Sequence, residues 1–311
     1  MHRLLWLAST HARLCLIAGL AGGLLLPGFA AHLVPWLPHM VAILLTTTAL
    51  RIGHRAAVGA LGDLRWGLGA VAVLQMCVPL ICLALLTLAG LQETPAALAI
   101  VLTSAAPAIT GSVNLALMLR LDAGRMMQIL VLGTAAFPLT VLPVLAFLPQ
   151  LGPASDVIIA ALRLLAVIVL ATGTGFLIRH IALPQPTEGQ TKALDGLSVL
   201  AFSFIVVGLM AALNPALREG PWLVAKWALL AFAISYLMQL ATLLILRSSR
   251  LNAVAGPLAI GAGNRNIAIF LVALPAETIA PLMVFIGCWQ LPMYLTPMLL
   301  PRLYKWALPH D

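Results

Sequence analysis

Ten apolar runs, each near the length at which a helix crosses the hydrocarbon of a bilayer, follow one another along this chain with only short polar connectors between them. They fall at about 12–30, 37–52, 66–89, 94–119, 126–148, 156–178, 193–213, 221–246, 252–275 and 279–300. The surface is dictated by this pattern. With 62% hydrophobic and 8% charged residues and a mean hydropathy of +1.09, the chain has too few polar groups to wet a soluble globule. The expected fold class is an all-α polytopic membrane protein, with the lipid bilayer as its first partner. A net charge of +8 would suggest nucleic acid if it belonged to a soluble domain. Here the basic residues sit in the connectors, where they set membrane orientation, so no nucleic-acid partner is expected.

Counting Lys and Arg in alternate connectors gives the orientation. One side holds Arg3, Arg13, Arg51, Arg55, Arg65, Arg120, Arg125, Arg179, Lys192, Arg247, Arg250, Arg302 and Lys305; the other holds Arg218 and Lys226. This bias predicts both termini on the cytoplasmic side of a bacterial inner membrane. The first run follows Arg3 and Arg13 and ends in the small residues of GFAAH, as a signal peptide would. The internal repeat described next needs it as a retained span. Cys15, Cys77, Cys82 and Cys288 lie in apolar runs without CxxC spacing, and the seven histidines fall near run ends or in connectors. Neither a metal cluster nor a buried histidine relay is expected, and no P-loop signals ATP-driven transport.

The chain repeats itself. GSVNLAL at Gly111–Leu117 is echoed by GNRNIAI at Gly263–Ile269, each in the fourth run of a set of five. In the following run Gly133, Pro138 and Pro143 are matched by Gly287, Pro292 and Pro297. Two echoes in the same order and at nearly the same offset predict a single transmembrane unit over 1–311, made of two five-helix repeats at about 10–149 and 155–305. An odd number of spans per repeat inverts the second, and inverted repeats with interrupted helices are the architecture of secondary transporters. Breaks are expected at Pro107 and Gly111 in run four and at Pro257, Gly261 and Gly263 in run nine, where prolines remove donors and glycines weaken the helix. Backbone freed at membrane depth survives only against protein or a wet cavity, so the two breaks mark the expected binding site.

The order LLPGFAAHLVPWLP, then SAAPAITGSVNLALMLRLDAG, then GAGNRNIAIFLVALP resembles the bile acid:sodium symporter superfamily over nearly the whole chain. The resemblance implies ten helices in a panel domain and a core domain, with discontinuous helices four and nine crossing inside the core, and an organic anion as substrate. Sodium-using members carry an acid shortly before a Gln-Asn pair on the second crossover. Here those positions are Gly261, Arg265 and Asn266. The family's Ser-Asn on the first crossover falls at Ser112 and Val113, and its hydroxyl positions on the next helix fall at Met126 and Leu130. A hard cation wants several oxygen ligands, so sodium coupling is not expected and any coupling ion stays open.

Arg265 is the residue that most needs a reason. It lies about 22 Å along a helix from Arg250 and about 18 Å from Glu277, too far to snorkel to either surface, and an arginine at such depth costs on the order of 3 kcal/mol on the milder scales. Two readings stand: a structural arginine that caps carbonyls of a broken helix, and a tethered cation that takes the electrostatic role of sodium and orients a substrate carboxylate with its planar fork of donors. On the second reading Thr110, Ser112, Asn114, Asn264 and Asn266 supply neutral hydrogen bonds, and Gln75, just before Pro79, is a lining residue. For each of these polar residues, ordinary interhelical hydrogen bonding is the alternative. The expected function is secondary transport of a small organic anion by alternating access. A polytopic membrane enzyme, or an anion sensor, using Arg265 to bind phosphate or carboxylate stays open beside it. No acid or histidine flanks Arg265 as a base or metal ligand, so catalytic residues, cofactors and metals are not expected.

Overall fold

The structure, a computed structural model, describes residues 2–59 and 62–308. The helices in chain order are α1 (His2–Thr10), α2 (Ala12–Leu25), α3 (Pro27–Leu33), α4 (Leu37–Gly59), α5 (Leu64–Ala72), α6 (Val78–Leu88), α7 (Pro95–Ala105), α8 (Ser112–Met118), α9 (Ala123–Ala146), α10 (Ala154–Ala182), α11 (Glu188–Leu209), α12 (Leu213–Glu219), α13 (Pro221–Leu246), α14 (Asn252–Gly263), α15 (Ala276–Ile279), α16 (Met283–Leu299) and α17 (Pro301–Ala307). A π-helical turn, Val73–Cys77, joins α5 to α6. Among the described residues there is no strand beyond one isolated bridge.

The protein is an all-α, multi-pass membrane protein. Among the described residues seven stretches are helical, apolar and long enough to cross a bilayer: Pro27–His54, Leu64–Leu88, Ala123–Ala146, Ser155–Ala182, Glu188–Glu219, Pro221–Leu246 and Ala276–Leu299. The pair Arg3–Thr10 and Leu14–Leu25, bent by 91°, makes up to eight. The expected first run at 12–30 is interrupted at Leu26, because Pro27 starts a new helix that continues toward α4.

Several helix starts carry their own side-chain caps, which helps explain where those apolar runs become helices. Thr94 Oγ1 accepts from Ala97 N at 3.1 Å with Pro95 at the first helical position, and Asp122 Oδ1 accepts from Arg125 N at 2.9 Å. Thr187 and Gln190 form a reciprocal capping box at the start of α11.

The chain folds into two compact units, neither of them a continuous stretch of sequence. One gathers the described residues of Met1–Val58, Arg163–Ala225 and Ala268–Cys288; the other gathers those of Gly59–Leu162, Lys226–Ile267 and Trp289–Asp311. In the first, α1, α2 and α3 pack on α11, and small residues let the backbones approach: a Cβ on Gly19 would lie 2.8 Å from Ser203 O. Gly53 interrupts α4 with φ +75°, a left-handed conformation that glycine adopts without a Cβ penalty. Beside that break Arg179 Nη1 donates to Leu50 O at 3.3 Å. In the second unit α9 is the hub, packed by α5, α7, α8 and α14. Its Pro138 and Pro143 stay inside the helix, as do Pro292 and Pro297 in α16.

Candidate functional site

Within the second unit two helices stop short and their loose ends pair with each other. Helix α7 ends at Ala105 and the chain runs extended through Pro107 before Gly111 caps α8; α14 ends at Gly263. Between the ends, Ala108 and Arg265 form an antiparallel bridge, with Ile109 N donating to Asn264 O at 3.0 Å and Asn266 N donating to Pro107 O at 2.8 Å. Pro107, Gly111 and Gly263 therefore lie at the breaks. Pro257 and Gly261 do not: α14 runs helically through both. A proline six residues into a helix removes only one early bond, which a membrane helix tolerates. Gly261 instead serves packing, since a Cβ there would lie 3.3 Å from Ile129 Cγ2.

Arg265 satisfies the carbonyls that these interruptions leave over. Its Nε donates to Ala262 O at 3.0 Å, Nη1 to Ala106 O at 2.9 Å and Nη2 to Leu74 O at 2.9 Å. Each acceptor has a local cause. Ala262 O would normally take the N–H of Asn266, which is committed to Pro107 O. Ala106 O lies where the chain leaves α7. In the π-helical turn Val78 N donates to Val73 O, so the next bond in that register would join Leu74 O to the nitrogen of Pro79, which carries no hydrogen. The Arg265 carbonyl in turn accepts from Trp289 Nε1 at 2.8 Å. With Arg265 at 1% exposure and Trp289 at 0%, the junction is dry protein. Replacing Trp289 by phenylalanine is expected to cost about 1–3 kcal/mol by leaving that carbonyl unpaired. A thermal melt of the purified variant checks it.

A second buried polar cluster sits against the end of α14. Ser235 Oγ donates to Gly263 O at 2.8 Å, and Gln239 Nε2 lies 3.2 Å from Ser235 O and 3.4 Å from Thr296 Oγ1. The Thr296 hydroxyl is shared between Pro292 O at 2.9 Å and Asn264 Oδ1 at 3.3 Å, while Tyr304 of α17 donates to Gln239 Oε1 at 2.8 Å. Sequence reasoning did not identify Leu74, Trp289, Ser235, Gln239, Thr296 or Tyr304. The usable signals were Ser235, Gln239 and Thr296, polar residues inside apolar runs, and the Gln75 to Pro79 spacing.

These contacts sort the expected binding residues into two groups. Arg265, Asn264, Ser112 and Gln75 are buried. Arg265 faces carbonyls and not a wet chamber, which corrects the expectation that its fork is open to a carboxylate and matches the capping alternative. Asn264 is held by Thr296 and by Ile260 O at 3.1 Å. Gln75 lines no opening; its Oε1 accepts from Thr140 Oγ1 at 2.8 Å and its amide lies against Gly133, where a Cβ would come within 2.6 Å of Nε2. The Ser112 hydroxyl is buried without a partner among the described residues. Thr110 and Asn266 are half-buried and Asn114 is exposed, so the accessible polar side chains of the crossing are neutral.

The sodium-type ligand set does not fit here. A Cβ on Gly261 would meet Ile129 Cγ2, Leu74 Cδ1 at 3.5 Å and Met126 Cε at 3.7 Å, and Met126 and Leu130 are buried hydrocarbon. Among the described residues, the atoms nearest that position are hydrocarbon, and a hard cation wants several oxygen ligands.

A cavity of about 350 Å³ opens elsewhere in the same unit, lined by Gly59, Asp63, Asp122, Gly124, Arg125 and Gln128. Arg125 Nη1 pairs with Asp63 Oδ2 at 2.9 Å while its guanidinium lies over the Trp66 ring, 4.4 Å from the centroid. Gln128 Nε2 donates to Asp63 O at 2.8 Å. The Arg125 hydrogen bond, followed by that from Trp66 N, holds the Asp63 carboxyl below the usual carboxylate range. These bonds tie the start of α5 to the start of α9. No family model matches the chain, and no curated protein matches it.

Proposed function

We propose that this protein is a secondary transporter that moves a small organic anion by alternating access, with the fold of the bile acid:sodium symporter superfamily and both termini on the cytoplasmic side of a bacterial inner membrane. One observation carries the reading. A permanent cation is buried where two broken helices meet, and none of the ion pairs formed among the described residues includes it. Carbonyl dipoles hold the guanidinium, but its unit charge is not neutralised. In a medium of low dielectric that charge attracts an anion, which Thr110, Asn114 and Asn266, the accessible neutral side chains of the crossing, would bind.

The architecture supports this reading. On this reading the seven long helices, the bent pair and the two interrupted stretches around α7 to α8 and after α14 would make up the ten expected spans. Interruption itself removes spans four and nine from a count based on helix length. Both compact units combine segments from both halves of the chain, the arrangement that a panel and a core built from two repeats requires. Polar pairs echo each other too: Gln75 with Thr140 on the third and fifth spans, Gln239 with Thr296 on the eighth and tenth. The two compact units are then the moving parts of the cycle.

The test is counterflow in proteoliposomes preloaded with unlabelled organic carboxylates, with labelled anion outside. Wild type is expected to exchange a subset of these anions, and the double variant Asn114→Ala/Asn266→Ala to exchange them at least about tenfold more slowly, the equivalent of losing two net hydrogen bonds. Thermal stabilisation by an anion without exchange would instead mark a sensor, and conversion of the anion would mark an enzyme.

A further inference from the structure

We propose that the carbonyls of Leu74, Ala106 and Ala262 form a cation cradle that the Arg265 side chain fills from within, so that the crossing is held by a charge that no ion gradient can supply or withdraw. Three backbone oxygens from three segments converge on one guanidinium at 2.9–3.0 Å. None of the three has its ordinary helical donor, for the reasons given by the Asn266 bond to Pro107, the end of α7, and Pro79. Oxygens in such a set need a cation or donors, because an unpaired carbonyl buried at membrane depth is costly. A mobile ion could meet that need in another chain. Here the cation is covalent, planar and permanently charged, and the adjoining space beside Gly261 is packed with Ile129, Leu74 and Met126.

On the carrier reading, this has an energetic consequence. The cradle is filled in every step of the cycle, so no mobile cation enters it and transport couples to no cation gradient.

The test separates the cradle from the carrier reading. The melting temperature of detergent-purified wild type is expected to stay the same when sodium or potassium replaces choline. Arg265→Ala is expected to melt at least about 10 °C lower, in line with the loss of several kcal/mol, and to recover at least half of that shift in millimolar N-ethylguanidinium, the fragment cut away, which leaves wild type unchanged. Should the alanine variant yield no folded protein, the pair Arg265→Lys and Arg265→Met decides: lysine keeps a cation at the cradle and is expected to melt higher than methionine. An alanine variant as stable as wild type, no response to the fragment, or equal melting of the lysine and methionine variants overturns the cradle. In proteoliposomes, wild-type counterflow is expected to be unchanged by choline in place of sodium, with no accumulation driven by an imposed sodium or pH gradient. Gradient-driven accumulation overturns the uncoupled mechanism and leaves the carrier reading intact. Absence of counterflow removes the carrier reading, while the melting results still judge the cradle.

Discussion

Replacing Arg265 by methionine is expected to abolish most folded protein at temperatures where the parent is stable. Methionine fills much of the same volume, so packing is roughly conserved and the loss isolates the hydrogen bonds. Three buried acceptors, Ala262 O, Ala106 O and Leu74 O, lose their donor at once. At about 1–3 kcal/mol for each orphaned group the penalty is about 3–9 kcal/mol. Native proteins are stable by only about 5–15 kcal/mol, so the variant stands at the edge of folding. Removal of a buried charge returns part of this, because the guanidinium no longer has to be desolvated. The variant should therefore be detectable in size-exclusion profiles as a small, early-melting fraction. A methionine variant with wild-type yield and melting temperature would mean that the carbonyls find other donors and that Arg265 does not hold the crossing.

Gly263→Ala is expected to be the most damaging single methyl group in the chain's second unit. The added Cβ would run into the backbone oxygen of Ser235 and the Gln239 side chain, the two residues that bond the end of α14. Backbone cannot swing aside as a side chain can, so α13 and α14 must separate and the Ser235 bond to Gly263 O must stretch. Overpacking of this kind costs about 1–3 kcal/mol even where neighbours relax, and here the loss of the polar cluster adds to it. Gly256→Ala on the same helix is the matched comparison. The nearest atoms to its Cβ all belong to the Leu121 side chain, Cδ2 first at 2.7 Å, so a shift of that flexible side chain relieves it. Melting curves of the two variants should differ by several degrees in that order, and equal curves would refute the claim that α13 and α14 are locked through Gly263.

Helix content, membrane residence and the regions of interruption could all be read from the chain, because each follows from local composition. Apolar runs of span length exclude a soluble fold, and Pro107, Gly111 and Gly263 weaken helix wherever they stand. The exact breakpoints were less legible. Pro257 is as strong a breaker on paper as Pro107, yet α14 passes through it, because a single missing donor early in a helix is absorbed while the exchange of bonds between Asn266 and Pro107 is not available to either segment alone. The partners of Arg265 were beyond reach for the same reason. Leu74 O becomes an acceptor only because a π-helical register directs its bond at Pro79, and that register is a product of packing.

What the amino-acid order determined by itself was that a permanent charge, Arg265, lies far from any surface in a bilayer-spanning chain and that something must compensate it. Whether that compensation came from a ligand, a carboxylate or the backbone was decided only in three dimensions. Hydrogen bonds to backbone carbonyls leave no mark on side-chain identity, and those three carbonyls are orphaned by the way separate segments cross.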